Sequence, residues 1–365
     1  MKKVKIYYLL GTQANLQPIS GDRINEINII KALSKYYDVY YNGELCCETD
    51  QTFGRSDGII TPPKKGLYDL VYVRNNKDVF MAAPPPKLWF SSPYDSECFD
   101  AADGIACMTA PWRDRLSNYS STDFEYFRQM YPKNMATPKC CLLFPQVVHL
   151  PSDATLSEIQ TNNRAPRKNQ GLLKHLLGIK KSNPALNLQH FGPIRPSNFP
   201  HQLAHLLTTG HKLANNITAE CIGPGNKMTI PAPIKTTPRV DPQEAFSRLV
   251  NADAIWYNQD QSGNFAGSLK VLEAMTVGVP LLLPKYDARA AELGQDYPFF
   301  WELIGDDITN VNQPFFIKSL ENLLDLTDHE RKQLSGYLRD RADAHSYETI
   351  APILRDEIDK FMTQY

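Results

Sequence analysis

Residues 263–284 place a polar turn, a short amphipathic helix, a glycine and a solidly apolar strand in direct succession. The spacing of the apolar residues predicts the helix over residues 269–275, and Gly278 ends it. The strand that follows, residues 279–283, is apolar on both faces, as strands buried in parallel sheets are. This segment therefore indicates an α/β fold with helices on both sides of a parallel sheet.

Apolar strands and amphipathic helices alternate along the rest of the chain as well. Strands are predicted in the first part over residues 4–10, 38–41, 68–73, 88–91, 104–108 and 142–148. In the second part they are predicted over residues 186–191, 218–223 and 251–257, with residues 286–293 and 298–301 closing the sheet. Helices are predicted over residues 24–36, 200–207, 328–344 and 347–361, and a polar linker over residues 152–168.

The composition fits a globular chain that is large enough for two cores. Of the 365 residues, 42% are hydrophobic and 22% are charged, and the formal net charge is −1. A charge so close to zero gives no overall field that would recruit nucleic acid or membranes. The seven cysteines are scattered without a C-x-x-C pair, so we expect reduced thiols and a cytoplasmic location. No apolar run reaches the length of a membrane span.

The start of the helix at residue 269 is a candidate anion site. The first amides of a helix have no intrahelical partner, and the helix dipole is positive at that end. Lys270 adds a cation in the first turn, and Glu273 follows three residues later on the same helix face. A carboxylate at that place can accept hydrogen bonds from two vicinal hydroxyls. Phosphate at the helix start and ribose one turn along suggest a nucleoside diphosphate.

A second candidate anion site follows the strand at residues 186–191. Its turn begins at Gly192 and contains Arg195, and a helix is predicted to start at residue 200. A guanidinium placed before a helix can bind a phosphate group through paired hydrogen bonds. The two candidate sites therefore favour the same class of ligand.

The run S-L-K-V-L-E-A-M-T-V-G-V-P, residues 268–280, resembles the donor-binding segment of nucleotide-sugar glycosyltransferases of the GT-B fold, especially those of family 4. The resemblance implies that Glu273 binds the donor ribose. It also implies that Lys270 and the amides of Ser268 and Leu269 meet the pyrophosphate. Many family 4 members have a second Glu eight residues before the first, where this chain has Phe265.

The turn with Gly192 and Arg195, taken together with L-K-V-L-E-A-M, also resembles the phage DNA β-glucosyltransferases. Both resemblances imply a GT-B architecture, in which two Rossmann-like, doubly wound parallel-sheet domains face a cleft. We expect an acceptor-binding domain at residues 1–160, a nucleotide-sugar-binding domain at residues 161–345, and a C-terminal helix at residues 346–365 that returns to the first domain. The substrate-binding positions implied are Gly21, Asp22, Arg23, Gly192, Arg239, Val240, Gly267, Ser268, Leu269 and Glu273.

Several catalytic roles stay open at this stage. Residues 21–23 either face the acceptor or only start a helix that Asp22 caps. Asp95, just past a strand, is the candidate base of an inverting reaction or the cap of the next helix, and a retaining reaction needs no such base. Arg195 and Lys270 are the candidate catalytic stabilisers of the leaving diphosphate.

Together these patterns predict a glycosyltransferase that moves a hexose from a nucleotide-diphosphate sugar, with a UDP-sugar as the first choice, to a hydroxyl of a saccharide or glycan. No D-x-D motif occurs, so we expect no metal or other cofactor, and protein cations in its place. Hydroxymethylated DNA is the alternative acceptor. A GT-B epimerase and a non-catalytic nucleotide-binding protein are the alternative functions.

Overall fold

The chain forms two compact units in a computed structural model. The first unit comprises Met1–His149, Phe265–Leu269 and Ala344–Tyr365, and the second comprises Leu150–Asn264 and Lys270–Asp343. The main segment of the first unit thus ends before residue 160, and the end of the chain belongs to the first unit. The structure describes residues 3–18, 21–90, 96–117, 140–163, 186–192, 199–223, 230, 232–258, 267–302 and 314–365.

The first unit is built on a seven-stranded sheet. The strands of this unit are Lys5–Leu10 (β1), Asn15–Leu16 (β2), Asp38–Tyr41 (β3), Glu44–Leu45 (β4), Phe53–Gly54 (β5), Leu70–Arg74 (β6), Lys87–Phe90 (β7), Gly104–Cys107 (β8) and Cys141–Leu143 (β9). The sheet order is β4-β3-β1-β6-β7-β8-β9, with β4 antiparallel at the edge, while β2 and β5 pair separately. Because β1 lies between β3 and β6, the winding of the sheet changes direction at β1.

The second unit is built on a six-stranded sheet in which every pair is parallel. Its strands are Leu186–Phe191 (β10), Ile217–Ile222 (β11), Lys235–Thr237 (β12), Ala254–Trp256 (β13), Leu281–Pro284 (β14) and Phe300–Trp301 (β15). They follow the order β12-β11-β10-β13-β14-β15. By rank in the chain this is 3-2-1-4-5-6, the order of dinucleotide-binding Rossmann sheets. The doubly wound α/β fold predicted from the sequence is confirmed.

Helices connect the strands of both sheets. Those described are Gly21–Ser34 (α1), Lys77–Ala82 (α2), Ser96–Ala101 (α3), Ala110–Ser117 (α4), Asp153–Asn163 (α5), His201–Thr208 (α6), Pro242–Asn251 (α7), Leu269–Thr276 (α8), Asp287–Leu293 (α9), Pro314–Asp325 (α10), Asp328–Asp343 (α11) and Tyr347–Met362 (α12). Asp241 caps α7, accepting a hydrogen bond from the Glu244 amide at 2.9 Å. Among the described residues, no helix is long and apolar enough to cross a membrane.

Two segments differ from their sequence predictions because local helix signals prevail. Residues 286–293 were expected to close the sheet, but most of them form α9, whose Ala-rich sequence favours a helix. In it, buried Arg289 pairs with Glu292 three residues later. The expected linker at residues 152–168 contains α5, which Ser152 caps by accepting a hydrogen bond from the Thr155 amide at 3.1 Å.

Helix α1 also starts earlier than predicted. Its first residue is Gly21, so Asp22 lies inside the first turn and does not precede the helix as an N-cap residue. An acidic residue in the first turn still stabilises a helix through the dipole. The interpretation of Asp22 as the N-cap is therefore wrong.

Helix α12 packs into the core of the first unit. Its buried residues Ile350, Leu354, Ile358 and Phe361 recur every three or four positions and form one apolar face. A side chain placed at Gly104 in β8 would come within 2.9 Å of the Phe361 ring. The end of the chain is thus part of the first core.

We predict that Phe361→Ala destabilises the first unit by about 3–5 kcal/mol, because Phe361 is fully buried and the cavity left behind cannot collapse completely. Lys360→Ala, at the exposed neighbouring position, should change stability by less than about 0.5 kcal/mol. Hydrogen exchange of β8 and β9 during urea unfolding reports on this unit. Equal effects of the two substitutions would contradict the packing of α12 into this core.

Candidate functional site

The carboxyl edge of the second sheet is the place where its winding changes direction. Strand β10 lies between β11 and β13. After β10 the chain continues to β11 on one side of the sheet, and after β13 it continues to β14 in the opposite direction. In open α/β sheets a ligand binds outside the carboxyl ends of the strands at such a point. The segments to consider are therefore those that follow β10, β11 and β13.

Two glycines bring the backbone together after β10 and β11. The amide of Gly192 donates to the carbonyl of Ile222 at 2.8 Å, and the amide of Gly223 donates to the carbonyl of Thr237 at 3.0 Å. A side chain at Gly223 would collide with the Gly192 carbonyl. Gly192 also has a φ of 112°, which side chains rarely tolerate. This part of the edge is consequently lined by backbone.

The side chain of Lys270 lies against Gly192. A Cβ at Gly192 would overlap the Lys270 ammonium and would come within 2.7 Å of its Cε. The ammonium also lies 5.9 Å from the centre of the Tyr257 ring, directly after β13. The structure thus brings together Gly192 and Lys270, two sequence-predicted residues 78 positions apart in the sequence. Their contact places a cation beside the backbone turn at the end of β10.

Helix α8 provides the other predicted groups of this site. Ser268 and Leu269 are buried at its start, and the amino end of a helix favours an anion. Glu273 is half-buried one turn later. Burial raises the pKa of Glu273 to about 7, although the nearby Lys270 ammonium acts in the opposite direction. Close to neutral pH this carboxyl group can therefore be switched to its ionised form by a favourable ligand.

His190 and Tyr257 are residues of this site that the sequence analysis missed. His190 lies in β10, and its Nδ1 is 3.1 Å from the carbonyl of Trp256. Burial, and then the positive charge of Lys270, lowers the pKa of His190 to about 4. The imidazole is therefore neutral at physiological pH. The signal for His190 was its place two residues before Gly192, and for Tyr257 its place directly after a strand.

The remaining predicted residues belong to other segments of the two units. Arg239 is exposed and Val240 half-buried; both follow β12, two strands away from β10. Arg23 donates from Nη2 to Oε1 of Gln13 at 2.6 Å in the first unit. Gly267 lies against the carboxamide of Gln146 within the first unit. Gly21 and Asp22 begin α1, but the side chain of Asp22 is outside the described part of the structure, as are Asp95 and Arg195.

The first unit contains a buried ion pair that sequence reasoning did not identify. Arg74, the last residue of β6, pairs with Glu26 of α1, which also accepts a hydrogen bond from Tyr8. The guanidinium lies 4.0 Å from the centre of the Phe90 ring. The only signal in the sequence was a glutamate on the apolar face of α1. No group of three or more metal-ligating side chains occurs within the described part of the chain.

We predict that the contribution of Glu273 to the stability of the second unit falls as the pH rises from about 4.5 to about 7. In that range folded Glu273 keeps a proton that the unfolded chain has released, so a higher pH favours unfolding. The loss should be on the order of 3 kcal/mol, because a shift of one pKa unit corresponds to about 1.4 kcal/mol. Glu273→Gln, which is neutral at every pH, should remove it.

The measurement is urea unfolding at several pH values, followed by hydrogen exchange of β13 and β14. The difference between the two proteins isolates Glu273 from the other titrating groups. The same pH slope in both proteins would show that Glu273 titrates normally.

Comparison with known proteins establishes the fold. No protein-family model and no curated protein matches the chain. HepE from Anabaena, in complex with UDP and glucose, matches 98% of this chain and 100% of its own, with a TM-score of 0.58 at 13% identity. The α,α-trehalose 6-phosphate synthase of Burkholderia multivorans matches over 100% of both chains, with a TM-score of 0.59 at 12% identity. The sucrose-phosphate synthase of Thermosynechococcus elongatus also matches over 100% of both chains, with a TM-score of 0.62 at 9% identity. The architecture of this chain is accordingly the GT-B fold.

Proposed function

We propose that this protein is a glycosyltransferase that uses a nucleotide-diphosphate sugar as the donor. The observation that carries the proposal is the contact of Lys270 with Gly192 at the carboxyl edge of the second sheet. It joins a cation, a glycine at the end of β10 and the amino end of α8 at one place. Each of these three features favours a phosphate group.

The same groups suit the chemistry of glycosyl transfer. Negative charge grows on the leaving diphosphate as the bond to the sugar breaks, and a cation held beside it stabilises the transition state. We assign this role to Lys270, assisted by the amides of Ser268 and Leu269. By the sequence resemblance we assign Arg195 to the same diphosphate.

Glu273 is proposed to bind the donor ribose. It lies one turn beyond Lys270 in α8, and its ionised carboxylate can accept hydrogen bonds from two vicinal hydroxyls. Its raised pKa means that such hydroxyls bind the ionised form and favour release of the proton. The proposed donor site thus uses one helix for both the diphosphate and the ribose.

UDP-glucose is the donor that we propose to test first. HepE has been crystallised with UDP and with UDP-glucose, and an Escherichia coli trehalose-6-phosphate protein with UDP-2-fluoro-glucose. These structures have the same fold at low identity, so the donor is transferred to this chain as a proposal. For the acceptor we propose a hydroxyl of a saccharide or glycan, since several of these relatives are named for saccharide products.

The stereochemistry of the product decides the role of Asp95. Inversion at the anomeric carbon requires a base that removes the acceptor proton, and Asp95 is our assignment for that base. Retention requires no such base. Nuclear magnetic resonance of the anomeric proton in the first product distinguishes the two.

We predict that Lys270→Met lowers kcat for UDP release from UDP-glucose by roughly 30- to 1,000-fold, or about 2–4 kcal/mol, with a smaller effect on donor KM. Methionine retains most of the side-chain volume and removes the charge. Lys332→Met, at an exposed position of α11 in the same unit, is the matched control. A raised KM with an unchanged kcat would make Lys270 a ground-state anchor and would overturn its catalytic role.

We further predict that turnover continues in excess chelator, because Lys270 and Arg195 are proposed to supply the positive charge that a metal ion supplies elsewhere. The measurement is UDP release after exhaustive treatment with EDTA, with and without added Mg²⁺ or Mn²⁺. Loss of turnover in EDTA and its recovery with either metal would contradict the metal-independent mechanism.

The acceptor is identified by a transfer screen with isotopically labelled UDP-glucose. Saccharides, glycans and DNA that contains 5-hydroxymethylcytosine are offered side by side. Transfer to a saccharide supports the proposed acceptor, whereas transfer to the modified DNA alone would replace it. Binding of UDP without any transfer or hydrolysis of the donor would point to a non-catalytic nucleotide-binding protein.

A further inference from the structure

The ring of Tyr257 lies beside the candidate phosphate-binding cation of the second unit. Tyr257 is half-buried and follows directly after β13, and the Lys270 ammonium lies 5.9 Å from the centre of its ring. A cation within about 6 Å of an aromatic centroid is attracted by the electron-rich face of the ring. Tyr257, Gly192 and Lys270 all belong to the second unit. The ring is therefore a second contact, besides Gly192, that can fix the position of the ammonium.

The backbone around Tyr257 is held by both neighbouring strands. The amide of Tyr257 donates to the carbonyl of Leu282 in β14 at 3.0 Å. On the other side, Nδ1 of His190 in β10 lies 3.1 Å from the carbonyl of Trp256, the residue before Tyr257. A group that positions a substrate-binding side chain needs to be fixed itself. The ring of Tyr257 is consequently attached to a rigid point of the sheet.

The side chain of Lys270 needs support because it is long and can point in several directions. Ordering its rotatable bonds costs conformational entropy. Glu273 lies three residues later on α8, a spacing at which opposite charges attract each other on a helix surface. The structure directs the ammonium to Gly192 and to the Tyr257 ring. Without the ring, more of the orientations open to this lysine would lead away from Gly192.

The ring attracts the ammonium without neutralising its charge. An aromatic ring interacts with a cation through its quadrupole and carries no net charge. The nearby His190 imidazole is also neutral at physiological pH, because burial and then the positive charge of Lys270 lower its pKa to about 4. A carboxylate in place of the ring would hold the ammonium too, but it would cancel the positive charge that attracts a diphosphate. An aromatic ring therefore suits an ammonium whose charge serves a ligand.

We propose that Tyr257 is a positioning residue that holds the Lys270 ammonium against Gly192, where it meets the donor diphosphate. This inference rests on the proposed function and adds a residue that acts through Lys270. The aromatic ring supplies the effect, and its hydroxyl group is not required. Because the leaving diphosphate gains negative charge in the transition state, loss of the ring lowers kcat more than it raises the donor KM.

The test compares Tyr257→Leu, which removes the ring, with Tyr257→Phe, which removes only the hydroxyl group. We expect Tyr257→Leu to lower kcat for UDP release from UDP-glucose about 3- to 30-fold, with less than about a twofold change in donor KM. Tyr257→Phe should keep kcat within about twofold of the wild type, since it retains the ring. Tyr257→Met is a second variant without the ring, and its flexible side chain fills more of the space. Unchanged hydrogen exchange in β13 and β14 shows that a variant is folded.

A double-mutant cycle with Lys270→Met separates positioning from a general structural effect. If the ring acts through the ammonium, Tyr257→Leu should lower kcat by less than about twofold once Lys270 is methionine. A purely structural effect of the ring would lower kcat by the same factor in both backgrounds.

Three results would overturn the inference while leaving the proposed function intact. Unchanged kcat in Tyr257→Leu, with an active wild type, would show that the ring does not position Lys270. Equal losses in Tyr257→Phe and Tyr257→Leu would assign the effect to the hydroxyl group. Equal losses with and without Lys270 would make the role of the ring structural. If wild-type protein neither binds UDP nor consumes UDP-glucose, the proposed function fails and this inference fails with it.

Discussion

The close approach of backbone segments after β10 and β11 is the constraint on which the candidate site depends. Parallel strands align their carboxyl ends, and the change of winding at β10 opens that edge to a ligand. The edge is usable only because Gly192 and Gly223 have no side chains. A side chain at Gly192 would occupy the place of the Lys270 ammonium, and a side chain at Gly223 would collide with the backbone of Gly192. The position of Lys270 follows from this geometry, and its charge in turn acts against the effect of burial on the pKa of Glu273.

Much of the fold could be predicted because parallel sheets have a local signature. Strands buried on both faces are largely apolar, and β1 and β8 lie within their predicted ranges in the structure. Predictions were wrong where a helix signal competed. Residues 286–293 are apolar enough to predict a strand, but their Ala-rich sequence favours the helix α9. Residues 152–168 are polar enough to predict a linker, but the hydroxyl of Ser152 caps the start of the helix α5.

The candidate site could be predicted only in part, for a reason of distance. The helix start, the cation and the glycine turn are local motifs, and the structure joins two of them at Lys270 and Gly192. The contact of Gln146 with Gly267 joins segments that are far apart in the chain, so no local sequence pattern predicts it. The pKa of Glu273 likewise depends on burial, which periodicity indicates for a helix face but not for one carboxyl group.

Glu273 in the second unit is held in a state that folding alone does not favour. Burial raises its pKa to about 7, so its ionised form is disfavoured below that pH. Leucine or methionine at this position would avoid the cost, so packing does not explain why a carboxyl group is there. A ligand whose hydroxyls donate to the carboxylate would explain it, because its binding energy would offset the cost that the protein bears without it.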